Sequence, residues 1–207
     1  VACKENSTVL IGGETAEMPD FYQDGEYDIS GTIIGVVDKK YMMPMRKTNK
    51  GDLMIGLSST GLHTNGYSLA RKVLLEKYHV DRYFEELGTT LGESLLSVHK
   101  SYLPVLDAIL EKDWLHGISH ITGGGMVENT HRIIEKNQDV DIDWDSWEWP
   151  EIFNMIQSNG DVPMDDMRRS FNLGMGLVLI IDPSSLDELS KHFSSINEDF
   201  TVIGKVV

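Results

Sequence analysis

Apolar positions along this chain follow two spacings, and each spacing predicts its own kind of element. Continuous or alternating runs of aliphatic and β-branched residues predict strands at residues 7–11, 27–38, 53–57, 173–181 and 200–206. A spacing of three to four residues predicts helices. One begins near residues 65–68 and places Leu69, Val73, Leu74 and Tyr78 on a single face. A second spans residues 93–111 with Leu95, Leu96, Leu103, Leu106 and Leu110, and Pro104 either kinks it or divides it in two. Further helices are predicted at 127–135, at 147–158 with Pro150 in the first turn and Ile152, Phe153 and Ile156 inward, and at 185–193 with Ser184 or Ser185 as cap. The alternation of acid and apolar residues from Asp139 to Asp145 reads as an edge or half-exposed strand with a solvated face. It lacks the glycine and terminal glutamate of a calcium-binding loop. Strands alternating with helices predict a layered α/β (α+β) fold. The polar stretch at residues 46–52 has the composition of a linker and predicts a boundary between 1–50 and 51–207.

Composition narrows the class. With 207 residues and 41% hydrophobic content, the chain is long enough to bury a core in one or two domains. The single cysteine, Cys3, excludes an intramolecular disulfide and a cysteine-based zinc site and fits a reducing compartment. No apolar run approaches the roughly 20 residues of a membrane span, and no charged-then-apolar leader opens the chain, so a cytoplasmic protein without a membrane partner is expected. A formal charge of −15 argues against a nucleic-acid partner. A small phosphate remains compatible with it, because local N–H donors, one or two basic groups or Mg²⁺ suffice.

Three glycine-bearing segments carry candidate chemistry. In the first, Gly12 and Gly13 end an apolar run and present Glu14, Thr15 and Glu17, so that backbone can approach a ligand while a carboxylate holds Mg²⁺ against phosphate oxygens. Its place close to a start without Met leads to the expectation that the chain begins inside a larger protein. In the second, residues 56–69, a strand feeds a polar loop and then a helix whose free N–H groups favour an anion. There His63 and Asn65 are either hydrogen-bonding partners or proton handlers for a substrate, or else His63 sits in a turn and Thr64 or Asn65 merely caps the helix. In the third, Gly123, Gly124 and Gly125 precede a helix, which suits either close approach to a ligand or a tight turn. His120 beside them reads more readily as structural than as a base. Walker, dinucleotide-binding and nucleophile-elbow signatures are absent, so ATP, if bound, is held by another architecture.

Gly12-Gly13-Glu14-Thr15-Ala16-Glu17-Met18-Pro19, Gly61-Leu62-His63-Thr64-Asn65-Gly66-Tyr67-Ser68-Leu69, His120-Ile121-Thr122-Gly123-Gly124-Gly125 and Phe171-Asn172-Leu173-Gly174-Met175-Gly176 occur in that order. Together they resemble the phosphoribosylformylglycinamidine cyclo-ligase (aminoimidazole ribonucleotide synthetase) family over essentially the whole chain. The resemblance implies an ATP- and Mg²⁺-dependent ring closure of formylglycinamidine ribonucleotide in purine biosynthesis. ATP activates the formamide oxygen, an internal nitrogen attacks, and ADP and phosphate leave. It further implies a homodimeric intact protein, with 1–50 as the remnant of an N-terminal ATP- and metal-binding domain and 51–207 as a C-terminal domain built on a mixed sheet with packed helices. On this resemblance His63 and Asn65 position substrate and Glu14 binds metal. Gly12, Gly13, Glu14, Thr15, Gly123, Gly124, Gly125 and Lys100 line the nucleotide site.

The chain departs from the family pattern at Asp20, at Met126 and Val127, and at Val98 and His99, which stand where the pattern has Pro and Thr. Lys100 keeps the basic position and is either a phosphate contact or a solvated lysine. Two alternatives stand beside the cyclo-ligase: a related ATP-using enzyme of the same superfamily, and a truncated, catalytically silent binding or assembly module.

Overall fold

The computed structural model describes residues 1–43 and 47–207, which form two compact units, Val1–Met42 and Met43–Val207. Among the described residues no helix is long and apolar enough to cross a membrane.

The first unit contains a short helix, α1 (Ala2–Glu5), and a 3₁₀ turn at Lys39–Tyr41. Neither strand expected here, 7–11 or 27–38, forms. β-branched residues favour an extended backbone, but a strand exists only when a neighbour takes up its N–H and C=O groups. No ladder includes these residues, and Ile29, Ile33 and Val36 are 89%, 81% and 102% exposed.

The second unit runs β1 (Leu53–Ser58), α2 (Tyr67–Leu74), β2 (Tyr83–Phe84), β3 (Thr89–Thr90), α3 (Leu91–Leu95), α4 (Leu103–Leu106), β4 (Leu115–His120), α5 (Gly125–His131), β5 (Val140–Ile142), α6 (Glu151–Gly160), α7 (Met164–Ser170), β6 (Met175–Ile181), α8 (Leu186–Ser195) and β7 (Phe200–Val206). Five strands form one sheet in the order β4-β6-β1-β7-β5, while β2 and β3 make a separate hairpin. The layered α/β class holds. Within it the sheet is antiparallel at every ladder rather than mixed. The acidic segment forms β5 at the sheet edge, as its alternation predicts.

Both faces of the sheet are covered. Leu177, Leu179 and Ile181 of β6 join Ile55 and Leu57 under α4 and α8, where Val105, Leu189 and Phe193 close the layer. Val178 and Ile180 point the other way, onto Met54, Ile203 and Met126 of α5. All seven residues of β6 are therefore buried, which explains its uninterrupted apolar run. A third cluster joins α2, α3, α6 and α7 through Leu74, Leu95, Phe153, Ile156, Met167 and Phe171. Full burial of each such side chain contributes roughly 1.5–3 kcal/mol.

The helix expected over 93–111 is divided in two, α3 and α4, separated by residues 96–102. Pro104 lies in the first turn of α4, where no backbone donor is needed. The break lies upstream of it, after a Thr90–Glu93 capping box has started α3. Helix α8 begins after Ser185, but no Ser side chain caps it. The capping side chain is Asp182, which accepts from Ser184 N–H at the preceding turn.

Candidate functional site

Three loops meet at one end of the sheet because of strand register. Ser58, the last residue of β1, lies opposite Met175, and His120, the last of β4, lies opposite Leu177. The loop leaving β1, the loop leaving β4 and the turn entering β6 are thus neighbours. Their residues are the second, third and fourth sequence motifs.

Asn172 joins two of these loops. Its Nδ2 donates to the carbonyls of Gly61 at 2.9 Å and Leu62 at 3.2 Å, and its Oδ1 accepts from Gly174 N–H at 2.8 Å and Ser59 Oγ at 2.9 Å. Buried polar atoms with every bond made hold a loop rigidly. Gly66 seats the same loop on Phe171. It adopts a left-handed backbone, φ +85°, and a Cβ there would come within 2.1 Å of the Phe171 ring. Gly66 is also the N-cap of α2, and no side chain caps that helix. Thr64 and Asn65 are therefore not its cap. Thr64 Oγ1 instead donates to Asn65 Oδ1.

The glycine triplet is explained partly by packing. Gly124 (φ +99°) caps α5, and a Cβ on Gly125 (φ +67°) would lie 1.8 Å from the Arg168 carbonyl. Gly123 is the least hemmed in: a Cβ there would meet only the Asn65 carboxamide nitrogen, at 3.1 Å. The turn is held from inside by Asn129, whose Nδ2 donates to the carbonyls of Gly125 at 2.7 Å, Thr122 at 3.2 Å and Gly123 at 3.3 Å. A cleft of about 540 Å³ separates the start of α2 from this turn and the end of α7, lined by Asn65, Gly123, Gly124, Glu128, Asp166 and Arg169 among others. The N-terminus of α2, with its unpaired N–H groups, opens onto it.

Beside the cleft-forming loops lies a histidine cluster. His63, 6% exposed and at φ +59°, accepts at Nε2 from Thr60 N–H at 3.0 Å. The ring proton therefore sits on Nδ1, which is buried without a hydrogen-bond partner. His99 stacks on His63 with ring centroids 3.8 Å apart, and its Nε2 lies 3.2 Å from Nε2 of His120. Burial, then the neighbouring His99, His120 and Lys100, pushes the His63 imidazole down from 6.5 to about 4, so it is neutral at pH 7. Burial and His99 lower His120 as well. Gly176 makes room beneath the cluster, since a Cβ there would lie 2.2 Å from the Tyr102 hydroxyl and 2.7 Å from His63 Cε1. Tyr102 donates to the Ser58 carbonyl at 2.8 Å.

The residues predicted for the site thus divide. His63, Asn65, Gly123, Gly124 and Gly125 are brought together at one sheet end. Lys100 lies outside any helix, and its ammonium is 2.5 Å from Glu198 Oε1. Gly12, Gly13, Glu14 and Thr15 belong to the first unit, where they are exposed and outside any regular element. Four participants carried no assigned role in the sequence: Asn172, Asn129, Gly176 and His99. Asn172 and Gly176 lay inside a quoted motif. His99 was visible only as a departure from pattern, and Asn129 carried no signal.

Antiparallel sheet, glycine turns and paired loops together define the class: residues 49–207 match the family described as AIR synthase related protein, C-terminal domain, and the chain belongs to that family. Curated relatives make the likeness more particular. The chain is 44% identical over 207 residues to phosphoribosylformylglycinamidine cyclo-ligase of Thermoanaerobacter sp. (strain X514), covering 99% of this chain and 61% of that protein. It is 41% identical to the protein of that name from Alkaliphilus metalliredigens (strain QYMF), covering 99% and 60%. The chain spans about three-fifths of the length of these relatives. In fold it is similar to thiamine-monophosphate kinase from Stenotrophomonas maltophilia K279a, with a TM-score of 0.52, 16% identity, and coverage of 78% of this chain and 49% of that one.

Proposed function

We propose that an intact protein containing this chain closes formylglycinamidine ribonucleotide to aminoimidazole ribonucleotide in purine biosynthesis, consuming ATP and releasing ADP and phosphate. One observation carries the reading: three motif loops converge at one sheet end in a chain 44% identical to a cyclo-ligase. Such chemistry needs no covalent nucleophile. Orientation of the reacting groups and stabilisation of phosphoryl charge supply most of the barrier reduction.

In this proposal the cleft between Asn65 and Gly123 receives substrate. Asn65 orients it through its carboxamide, and the N–H groups at the start of α2 and the Gly123 backbone face its anionic part. His63, neutral and enclosed, shapes the loop that presents Asn65. Lys100 joins phosphate binding only by exchanging Glu198 for it. Residues 1–50 represent part of an N-terminal nucleotide- and metal-binding domain, with Gly12, Gly13, Glu14 and Thr15 at the nucleotide, and 51–207 the C-terminal domain of a cytoplasmic homodimer.

Glu14 offers the oxygen donor that Mg²⁺ prefers. Among the described residues Glu14 belongs to no group of three metal-ligating side chains, so it would hold Mg²⁺ as a single carboxylate together with phosphate oxygens.

The test supplies formylglycinamidine ribonucleotide, ATP and Mg²⁺ to the intact protein, with one ADP expected per aminoimidazole ribonucleotide formed. Glu14→Gln is expected to lower turnover while leaving the fold unchanged. Normal turnover across a Mg²⁺ titration would remove Glu14 from the mechanism. His63→Asn, which tolerates the left-handed backbone, is expected to raise KM, and unaltered kinetics would make His63 purely structural. An intact protein that binds both ligands without turnover would be a silent module instead.

A further inference from the structure

We propose that His99 and His120 form a binding site for an imidazole-preferring divalent transition metal, of which Zn²⁺ is the probe of choice. Among the described residues, His63, His99 and His120 are the one group of three metal-ligating side chains whose ligand atoms all lie within 4.8 Å of one another.

The hydrogen bonds around His99 orient it as a ligand. Its Nδ1 lies 2.8 Å from the Lys100 carbonyl, which only accepts, so the proton is on Nδ1 and Nε2 keeps its lone pair. A backbone carbonyl on the far nitrogen is the arrangement that fixes the tautomer of metal-bound imidazoles. A second ring nitrogen, Nε2 of His120, lies 3.2 Å from His99 Nε2. With bonds of about 2.05 Å to zinc, two nitrogens at this separation subtend about 103° at the ion, close to the tetrahedral value. In the absence of metal, His120 donates its Nε2 proton to His99. On binding it carries that proton on Nδ1 instead, so both Nε2 atoms coordinate and no proton is released.

His63 serves the site differently. Its Nε2 is taken by the Thr60 amide, and it lies flat against His99 at an interplanar angle of 25°. Stacked rings aim their in-plane lone pairs side by side rather than at one point, so His63 holds the His99 ring in place instead of coordinating. Two imidazoles leave two tetrahedral positions open. His120 is exposed at the sheet end, so water or an anionic group of a small molecule can fill them. The donor set also selects the ion: imidazole nitrogen suits Zn²⁺, Cu²⁺ and Ni²⁺, whereas Mg²⁺ prefers oxygen.

The experiment is isothermal titration of the 207-residue chain with ZnCl₂, and separately with MgCl₂, in a non-chelating buffer. One Zn²⁺ per chain is expected to bind where Mg²⁺ gives no heat. His99→Asn, which keeps a donor for the Lys100 carbonyl, and His120→Gln are each expected to weaken Zn²⁺ binding at least about tenfold, or about 1.4 kcal/mol, with unchanged circular dichroism. Absence of Zn²⁺ binding overturns the proposal, as does binding undiminished in both folded variants, which would assign the ion to surface carboxylates. Should either variant fail to fold, the visible spectrum of the Co²⁺-loaded parent chain decides. Intense tetrahedral bands support the site, and the pale spectrum of an octahedral oxygen-ligated ion overturns it.

Discussion

The Asn172 carboxamide donates to the Gly61 carbonyl at 2.9 Å across 111 residues of sequence, tying the turn that enters β6 to the loop that leaves β1. Replacing Asn172 with Ala removes this bond and three others and leaves buried backbone groups without partners. A loss of about 3 kcal/mol in urea unfolding is expected. Asn172→Asp should be no milder, because it sets a carboxylate against two carbonyls. A loss below about 1 kcal/mol would show that the loops hold together without it.

The three glycines of the triplet are expected to respond unequally. Gly125→Ala forces a Cβ onto the Arg168 carbonyl at a left-handed φ and should cost about 3–5 kcal/mol. Gly123→Ala meets only the movable Asn65 side chain and should cost less than about 1 kcal/mol. Its effect should appear instead as weaker substrate binding by the intact protein. Thermal unfolding and a binding titration separate the two.

Glu93 makes stability depend on acid pH. The Thr89 hydroxyl, followed by the hydroxyl and N–H of Thr90, stabilises its carboxylate and lowers the pKa from 4.5 to about 2. A carboxyl depressed in the folded state binds its proton more tightly when unfolded, so its contribution is complete above about 4.5 and is lost as pH falls toward about 2. Urea midpoints measured across that window should fall less steeply in Glu93→Gln than in the parent chain.

Asp52 and His116 form a buried pair at 2.7 Å, with side-chain exposures of 3% and 10%. The same carboxylate oxygen accepts from Asn49 N–H at 2.7 Å. Asp52→Ala should cost about 2–4 kcal/mol, because His116 is left buried without its acceptor. A double-mutant cycle with His116→Ala should return a coupling above about 1 kcal/mol. Additive losses would mean that the two residues act independently.

Elements whose residues bury a face were legible in the chain. β6 and β7 appeared as apolar runs, α2 and α6 as helical stripes, and β5 as an alternating acidic edge, because each pattern records which side of an element meets the core. The region 27–38 misled for the same reason in reverse. Its β-branched residues state a preference, whereas pairing needs a neighbour that local sequence does not encode. The helix expected over 93–111 broke upstream of Pro104, in a segment that carries His99 and Tyr102 toward His63.

The glycine segments, the order of the four motifs and the residue types at the site were local properties, readable because backbone freedom and side-chain chemistry belong to single positions. Contacts between distant residues were not. Antiparallel register brought three loops to one end of the sheet, and only then did Asn172 become a link between loops, Gly125 a packing residue and His99 a neighbour of His63 and His120. The opening Gly12-Gly13-Glu14 run marks the opposite case: recognisable from its letters, it belongs to no group of three metal-ligating side chains among the described residues, because a site exists only where other segments fold against it.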